Sequence, residues 1–406
     1  MARKVIVHVG APKTGTSFVQ DLLFHAREPL AAIGVRYPAD RFDSHFLAAL
    51  DLMQLSWGGL EREAVGAWDR LAAEVRAWPG TAIVSHEILA TASRAQVARA
   101  LASLSTGSGA DATEIHVVLS ARDLVRQIPA EWQENVKHRR TTSYADFLAH
   151  LQDPSRQQGV ASWFWGVQEV PDILDRWGST LPKERVHLVT VPPSGAPRDL
   201  LWQRFSQVLG LDPAQFTLDD VRTNASLGVA EVAVVRRLNE EVAELLPNHH
   251  YRAIVREALV HQNLSRDRRS ARLSVPRDVW EWAAQLSRQW VAELALRGYD
   301  VVGDLDDLLP AEPLPWVDPD HPEIHELAEA TMRALTATTV EAARLRDREV
   351  ELQHDIEELI DKLDRAHATP IYKAKERLVA KAGTSRAVAK GLAVYRRLRG
   401  RNSRST

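Results

Sequence analysis

The stretch KVIVHVGAPKTGTSFVQ, Lys4 to Gln20, decides the fold. Lys4–Val9 is a short run of β-branched and apolar residues, the pattern of a strand buried on both faces. It passes without a spacer into Gly-Ala-Pro-Lys-Thr-Gly-Thr-Ser and then into apolar positions at helical period. A glycine-rich turn between strand and helix converges backbone N–H groups on one point, where the following helix adds the positive end of its dipole. Gly10 and Gly15 give the turn its tight path, Lys13 sets a cation beside the anion, and Thr14, Thr16 and Ser17 offer hydroxyls at the helix start. The turn reads as a phosphate-binding loop.

Further apolar runs stand at Thr81–Ser85, Ile115–Ser120 and Val186–Thr190. Helix-period segments lie between them at Leu60–Trp78, Arg94–Leu104, Leu124–Lys137 and Tyr144–Leu151. Short apolar strands separated by helices predict an α/β fold, a P-loop-like three-layer sandwich with a central parallel sheet. Beyond Asp199 the pattern is nearly all helical, over Leu200–Val208, Val229–Leu246, Arg252–His261 and Arg277–Arg297. Before the second of these, Asn224, Ser226 and Gly228 make a polar turn, with Ser226 read as the helix N-cap.

The first domain is expected over residues 1–310. Pro313, Pro315, Pro319 and Pro322 mark an extended connector over 311–339. A short helix follows over 340–369, with Leu345, Leu352, Ile356, Leu359 and Leu363 on heptad-compatible steps and Glu349 at the intervening seam position. It reads equally as a homodimeric coiled coil or as an amphipathic helix folded back on the domain. Residues 370–406 carry Lys and Arg against Glu376 alone, a surplus of about ten positive charges with apolar residues interleaved, as in basic amphipathic helices that meet anionic membranes.

The 406 residues are 45% hydrophobic and 26% charged with net charge −3, ordinary for a globular chain. No apolar run reaches the ~18–20 residues of a membrane span. There is no cysteine, which excludes disulfides and thiolate metal sites and suits a cytoplasmic setting, with peripheral contact at the inner membrane face through the tail. No nucleic-acid partner is read, and no carboxylate or histidine cluster has metal-ligand spacing.

Gly10 and Gly15 have the spacing of the nucleotide-triphosphatase loop, but Thr16 occupies its lysine position and the lysine stands at Lys13. Pro12-Lys13-Thr14-Gly15-Thr16-Ser17 instead resembles the 5′-phosphosulfate loop of the sulfotransferases that use 3′-phosphoadenosine 5′-phosphosulfate (PAPS). A second resemblance stands at Ala121-Arg122-Asp123-Leu124, where that family has an arginine for the 3′-phosphate. The family's usual serine eight residues later is Ala130 here, and Arg126, Gln127 and Gln133 are the nearby donors in its place. The cytosolic animal enzymes' adenine-side R-K-G-x-x-G loop is missing, so the likeness is to a bacterial, carbohydrate-type branch and covers roughly residues 1–300.

The resemblance implies a PAPS-dependent transferase that moves the sulfuryl group to a hydroxyl on a sugar, glycolipid or polysaccharide, without a metal. Such transfer is an in-line displacement with a loose transition state, governed by positioning and charge. Lys13 and the helix start would carry the charge of the leaving phosphate. The strand Thr81–Ser85 ends in His86-Glu87, where an open parallel sheet presents groups to its crevice. By resemblance Glu87 is the first candidate for the base, and His86 the second by its ordinary pKa. His8, His45, Trp132, Gln133 and Lys137 are the candidate acceptor contacts, with Trp163 and Trp165 as further stacking faces. The rival readings are a small-molecule kinase with the same loop, and a non-catalytic nucleotide-binding module that uses its tail.

Overall fold

The computed structural model describes residues 3–107, 109, 112–216 and 226–368. The chain divides after Leu335 into two units. In the first, six strands form one all-parallel sheet: β1 Lys4–His8, β2 Val35–Arg36, β3 Thr81–Ser85, β4 Glu114–Ala121, β5 Val186–Thr190 and β6 Asp300–Val302. Their order is β2-β3-β1-β4-β5-β6. His8 pairs with Ser85 on one side and Val118 on the other, so β1 lies between β3 and β4. The connections leave β1 toward one edge and return past it to the other, which opens a crevice at the C-terminal ends of β3, β1 and β4.

The helices used below are α1 Thr16–His25, α2 Ser44–Met53, α3 Ala67–Ala77, α4 Arg94–Leu104, α5 Leu124–Lys137, α6 Tyr144–Gln152, α7 Ala161–Gln168 and α8 Val170–Gly178. They continue as α9 Leu200–Leu209, α10 Val229–Val242, the π-type α11 Tyr251–Leu264, α12 Arg277–Arg297 and α13 Ile324–Ala368. Successive side chains on a strand face opposite layers. Ile6, Ile83, Val118 and Val189 therefore share one face, packed under Val19, Leu22 and Leu23 of α1 and Trp202 and Phe205 of α9. Val5, Val7, Val117 and Leu119 bury the other face, where α8 packs on β4 and α4 on α3 and α8. Burial on both faces is what made these strands read as unbroken apolar runs.

Several expectations are corrected. Leu60–Trp78 is two helices, Glu61–Ala64 and α3, because Gly66 takes φ 72 between them. Val229–Leu246 stops at Val242, and the segment after it adopts π-type hydrogen bonding. Ser226 does not cap α10: its Oγ accepts from Arg268 Nη1 at 3.2 Å, and Gly228 is the N-cap. Asn224 and the tail 370–406 lie outside the described residues. The two edge strands β2 and β6, of two and three residues, were too short to register as periodic runs.

The connector is extended only at its start. α13 begins at Ile324 rather than near 340, since no proline or glycine stands between Pro322 and Pro370 to interrupt it. Its first turns belong to the first unit, where Ala330 and Ala334 are buried. In the second unit, from Thr336, the described helix is exposed nearly throughout.

Candidate active site

The loop between β1 and α1 is tied down from within. Ala11 N donates to Ser120 O at 2.8 Å, Ser120 Oγ donates to Gly10 O at 2.9 Å, and the buried Thr14 hydroxyl donates to Ala11 O beside Ser120 Oγ. Thr14 thus shapes the loop, while Ser17 is exposed at its mouth. Gly10, at φ +116, lets the loop cross the end of β3, since a Cβ there would stand 2.8 Å from the Glu87 carbonyl oxygen. Gly15, at φ +89, precedes α1, which starts with no side-chain cap. The first-turn amides of α1 therefore face the mouth of the loop as uncompensated donors, and Lys13 stands beside them.

Arg122, at the end of the neighbouring β4, is half-buried and forms no ion pair with a carboxylate among the described residues. Its Nε donates to Gln127 Oε1 at 2.8 Å and its Nη2 to Arg126 O at 3.0 Å, and Nη1 makes no bond among the described residues. Burial, with Arg126 adding to it, lowers its pKa to about 10. A guanidinium in that state is ready for an anion. Gln127 joins the two motifs: its Nε2 donates to Pro12 O and to Gln168 Oε1 at 2.8 Å while its Oε1 holds Arg122. Arg126 is occupied by Asp123 and by Pro192 O at 3.1 Å.

The same face of α5 carries Glu131 and Glu134. Glu131 is 4% exposed and accepts from Gln168 Nε2 at 3.0 Å, and Gln168 also reaches Pro12 O at 3.3 Å. Burial pushes the Glu131 carboxyl up to about 7, against the pull of Lys13. Glu134 binds Lys13 Nζ at 2.6 Å and His138 Nε2 at 3.2 Å, with Arg256 at 3.8 Å and Lys137 at 4.0 Å. Burial opposes its charge, but Lys13, His138 and Lys137 together hold its carboxyl well below the usual range. Burial lowers Lys137, 5% exposed, to about 8 against the attraction of Glu134.

At the end of β3, His86 and Glu87 are half-buried. Glu87 Oε2 accepts from Gln20 Nε2 at 2.9 Å. Burial raises the Glu87 carboxyl, yet His86, the Gln20 amide and Lys13 hold it below its ordinary value. His86 Nδ1 accepts from Ile88 N at 3.3 Å, so the neutral ring carries its proton on Nε2. Burial also lowers His86. From here an aromatic wall runs round the crevice, half-buried at His86, Phe46, Trp57 and Trp163 and exposed at His138: His86 to Phe46 at 5.0 Å, Phe46 to Trp57 at 5.6 Å, then Trp57 to Trp163 at 6.0 Å and to His138 at 6.4 Å.

The structure therefore brings Pro12, Lys13, Gly15, Thr16, Arg122, Gln127, His86, Glu87 and Lys137 around one crevice, and leaves other candidates out of it. His8 is buried between Ser85 Oγ at 2.8 Å and Ser120 Oγ at 3.3 Å, with Phe205 against its edge. His45 accepts from Ser85 N at 3.0 Å and donates to Pro38 O at 2.9 Å, which uses both ring nitrogens. Trp132 is fully buried against Tyr144, its Nε1 donating to Thr142 O, and Trp165 is buried as well. Gln133 clamps the backbone of Leu227 through both amide atoms at 3.1 Å. Each of these polar groups spends its hydrogen bonds on holding the fold.

Sequence reasoning missed Gln20, Glu131, Glu134 and Gln168. A signal existed for three of the α5 positions: Gln127, Glu131 and Glu134 recur at i, i+4 and i+7, a polar stripe on a helix whose other side is apolar. Gln20 and Gln168 carry no such mark.

No protein-family model matches the chain, and neither does any curated protein. Among solved structures, the chain is similar to a sulfotransferase from Alicyclobacillus acidocaldarius at 16% identity, over 74% of this chain and 98% of that one, with a TM-score of 0.42.

Proposed function

We propose that this crevice transfers a sulfuryl group from PAPS to a hydroxyl on an acceptor ring. One observation carries the reading: Gln127 binds Pro12 and Arg122 at once, so two cationic turns from adjacent strands act as one anion clamp. Lys13 and the uncapped start of α1 fit the 5′-phosphosulfate, and the carboxylate-free Arg122 fits the 3′-phosphate in the absence of the serine replaced by Ala130. The nucleotide supplies the sulfuryl group and a phosphate leaving group.

The chain's own groups divide the remaining work. Glu87, its carboxyl held below the ordinary value and so ionised at neutral pH, takes the acceptor's hydroxyl proton. His86, with its lone pair on Ile88 N–H, is a donor at Nε2 and orients the acceptor oxygen. Lys13 supplies positive charge where negative charge develops on the leaving oxygen. Phe46, Trp57 and Trp163 offer apolar faces to the ring that bears the hydroxyl, which suits a sugar or the headgroup of a glycolipid.

Calorimetry tests the reading directly. 3′-Phosphoadenosine 5′-phosphate is expected to bind in the micromolar range without magnesium, and Arg122→Ala to weaken it by about a hundredfold. Tight binding of ATP that depends on magnesium, with no binding of the bisphosphate, would overturn the assignment in favour of a kinase.

A further inference from the structure

The second unit holds a helical stretch about 48 Å long from Thr336 to Ala368. Leu345, Leu352, Ile356, Leu359 and Leu363 form a stripe along it, each between 45% and 64% exposed. An isolated helix with such a stripe gains most of its stability from packing against something. The steps of seven, four, three and four put Leu345, Leu352 and Leu359 at d positions and Ile356 and Leu363 at a positions of one heptad frame. In that frame the other a positions are Ala342 and Glu349, and Thr338 is a d position.

We propose that this stripe is covered by a second copy of the same helix, running antiparallel. The four g positions of the frame are Glu341, Arg348, Asp355 and Lys362, which alternate negative, positive, negative, positive. Antiparallel helices bring g against g. With the two-fold axis at residues 350–351, Glu341 meets the partner's Lys362 and Arg348 meets the partner's Asp355, and symmetry repeats both pairs. Every g contact is then attractive. In the lone helix three of these groups bond only within their own chain, Glu341 to Arg344, Arg348 to Glu351 and Lys362 to Glu358.

The core agrees with the charges. The antiparallel frame layers Leu345 on the partner's Ile356, Ala342 on the partner's Leu359 and Thr338 on the partner's Leu363, so small residues face large ones. Glu349 lies beside the partner's Leu352 and keeps its bond to Arg346 at 2.6 Å at the edge of the seam. A parallel, in-register pair would instead stack Glu349 on the partner's Glu349, two like charges at a core position, and leave Ala342 facing the partner's Ala342 across a void. Its g positions would find one opposite charge only, Glu341 with the partner's Arg346.

The absence of cysteine makes disulfide trapping a clean test on the full chain. Light scattering is expected to give a dimer. Under mild oxidation the double variant Leu345→Cys with Ile356→Cys is expected to form a covalent dimer, whereas neither single variant does, since like positions lie about 16 Å apart along the axis. Arg348→Glu should weaken the dimer by about tenfold, and adding Asp355→Arg to it should restore the original affinity. A monomer at micromolar concentration, a covalent dimer from Leu345→Cys alone, or a failure of the second charge reversal to rescue would each overturn the proposal.

Discussion

Lys13 Nζ lies 2.6 Å from Glu134 Oε2, so the cation of the loop between β1 and α1 already has a carboxylate partner. Both side chains are less than a third exposed, which leaves the attraction only partly screened. An incoming phosphate has to compete with Glu134 for that ammonium. Glu134→Gln should therefore bind 3′-phosphoadenosine 5′-phosphate about five- to tenfold more tightly, the release of a part-buried pair of about 1 kcal/mol. Titration calorimetry of the two proteins checks this, and equal or weaker binding by the variant would show that Glu134 does not restrain the lysine.

If the crevice holds the nucleotide as proposed, Glu131 should make its affinity depend on pH. Its carboxyl, raised to about 7 by burial, sits one side chain away from the loop through Gln168 and Pro12. A bound phosphate favours the protonated form, so affinity is greatest below pH 7 and falls as pH rises through it. Between pH 6 and pH 8 the loss specific to this group should be about threefold to tenfold. The nucleotide's own ionisation changes over the same range, so the comparison is with Glu131→Gln, whose affinity should lack that fall. Parallel curves for the two proteins would remove Glu131 from the site.

How much of this was legible in the sequence follows from where the physics is local. The helices Arg94–Leu104, Leu124–Lys137 and Arg277–Arg297 were read to the residue and β1 to within one, because period, caps and glycines all act within a few residues of chain. Lys13 and Arg122 could be paired because both stand in motifs that resemble those of one family, each following an apolar run that reads as a strand. His8, His45, Trp132 and Gln133 were read as acceptor contacts from residue type and from their place beside the loop or along a helix that passes the cleft. Whether a histidine faces a crevice or a neighbouring Ser85 depends on strand order, and no local signal carries that. Glu134 was missed for the converse reason: its partners Lys13 and Arg256 lie more than a hundred residues away on either side.

Two of the buried histidines, His8 and His45, set an acid limit on stability. His45 links Pro38 O to Ser85 N and His8 links Ser85 to Ser120, and burial lowers each to about 4. In the unfolded chain both titrate near 6.5. The unfolded state thus binds more protons between these values, and stability present above pH 6.5 is lost as pH falls toward 4. Each histidine should cost about 2 kcal/mol between pH 7 and pH 5. Urea unfolding of His45→Gln against the parent isolates one of them: the variant starts less stable at pH 7 but should lose about 2 kcal/mol less on acidification. Equal losses would mean that His45 is not held neutral in the fold.

Adjacent residues at the end of β3 have separable roles, and kinetics can tell them apart. Glu87 has a carboxyl held below its ordinary value and a single side-chain donor, Gln20, whereas the lone pair of His86 is engaged by Ile88 N–H. A base must present a lone pair to the acceptor hydroxyl, which is why Glu87 rather than His86 is the proposed base. Glu87→Gln, which keeps the shape and the Gln20 contact, should lower kcat by at least about a hundredfold and change bisphosphate affinity by less than about twofold. His86→Asn removes the Nε2 donor but leaves the base, so its loss in kcat/KM should be nearer tenfold. If His86→Asn proved the more damaging change, the proton would have to leave through the imidazole. The Ile88 contact would then have to break in each turnover, and Ile88→Pro, which deletes that N–H, would speed the reaction rather than disturb it.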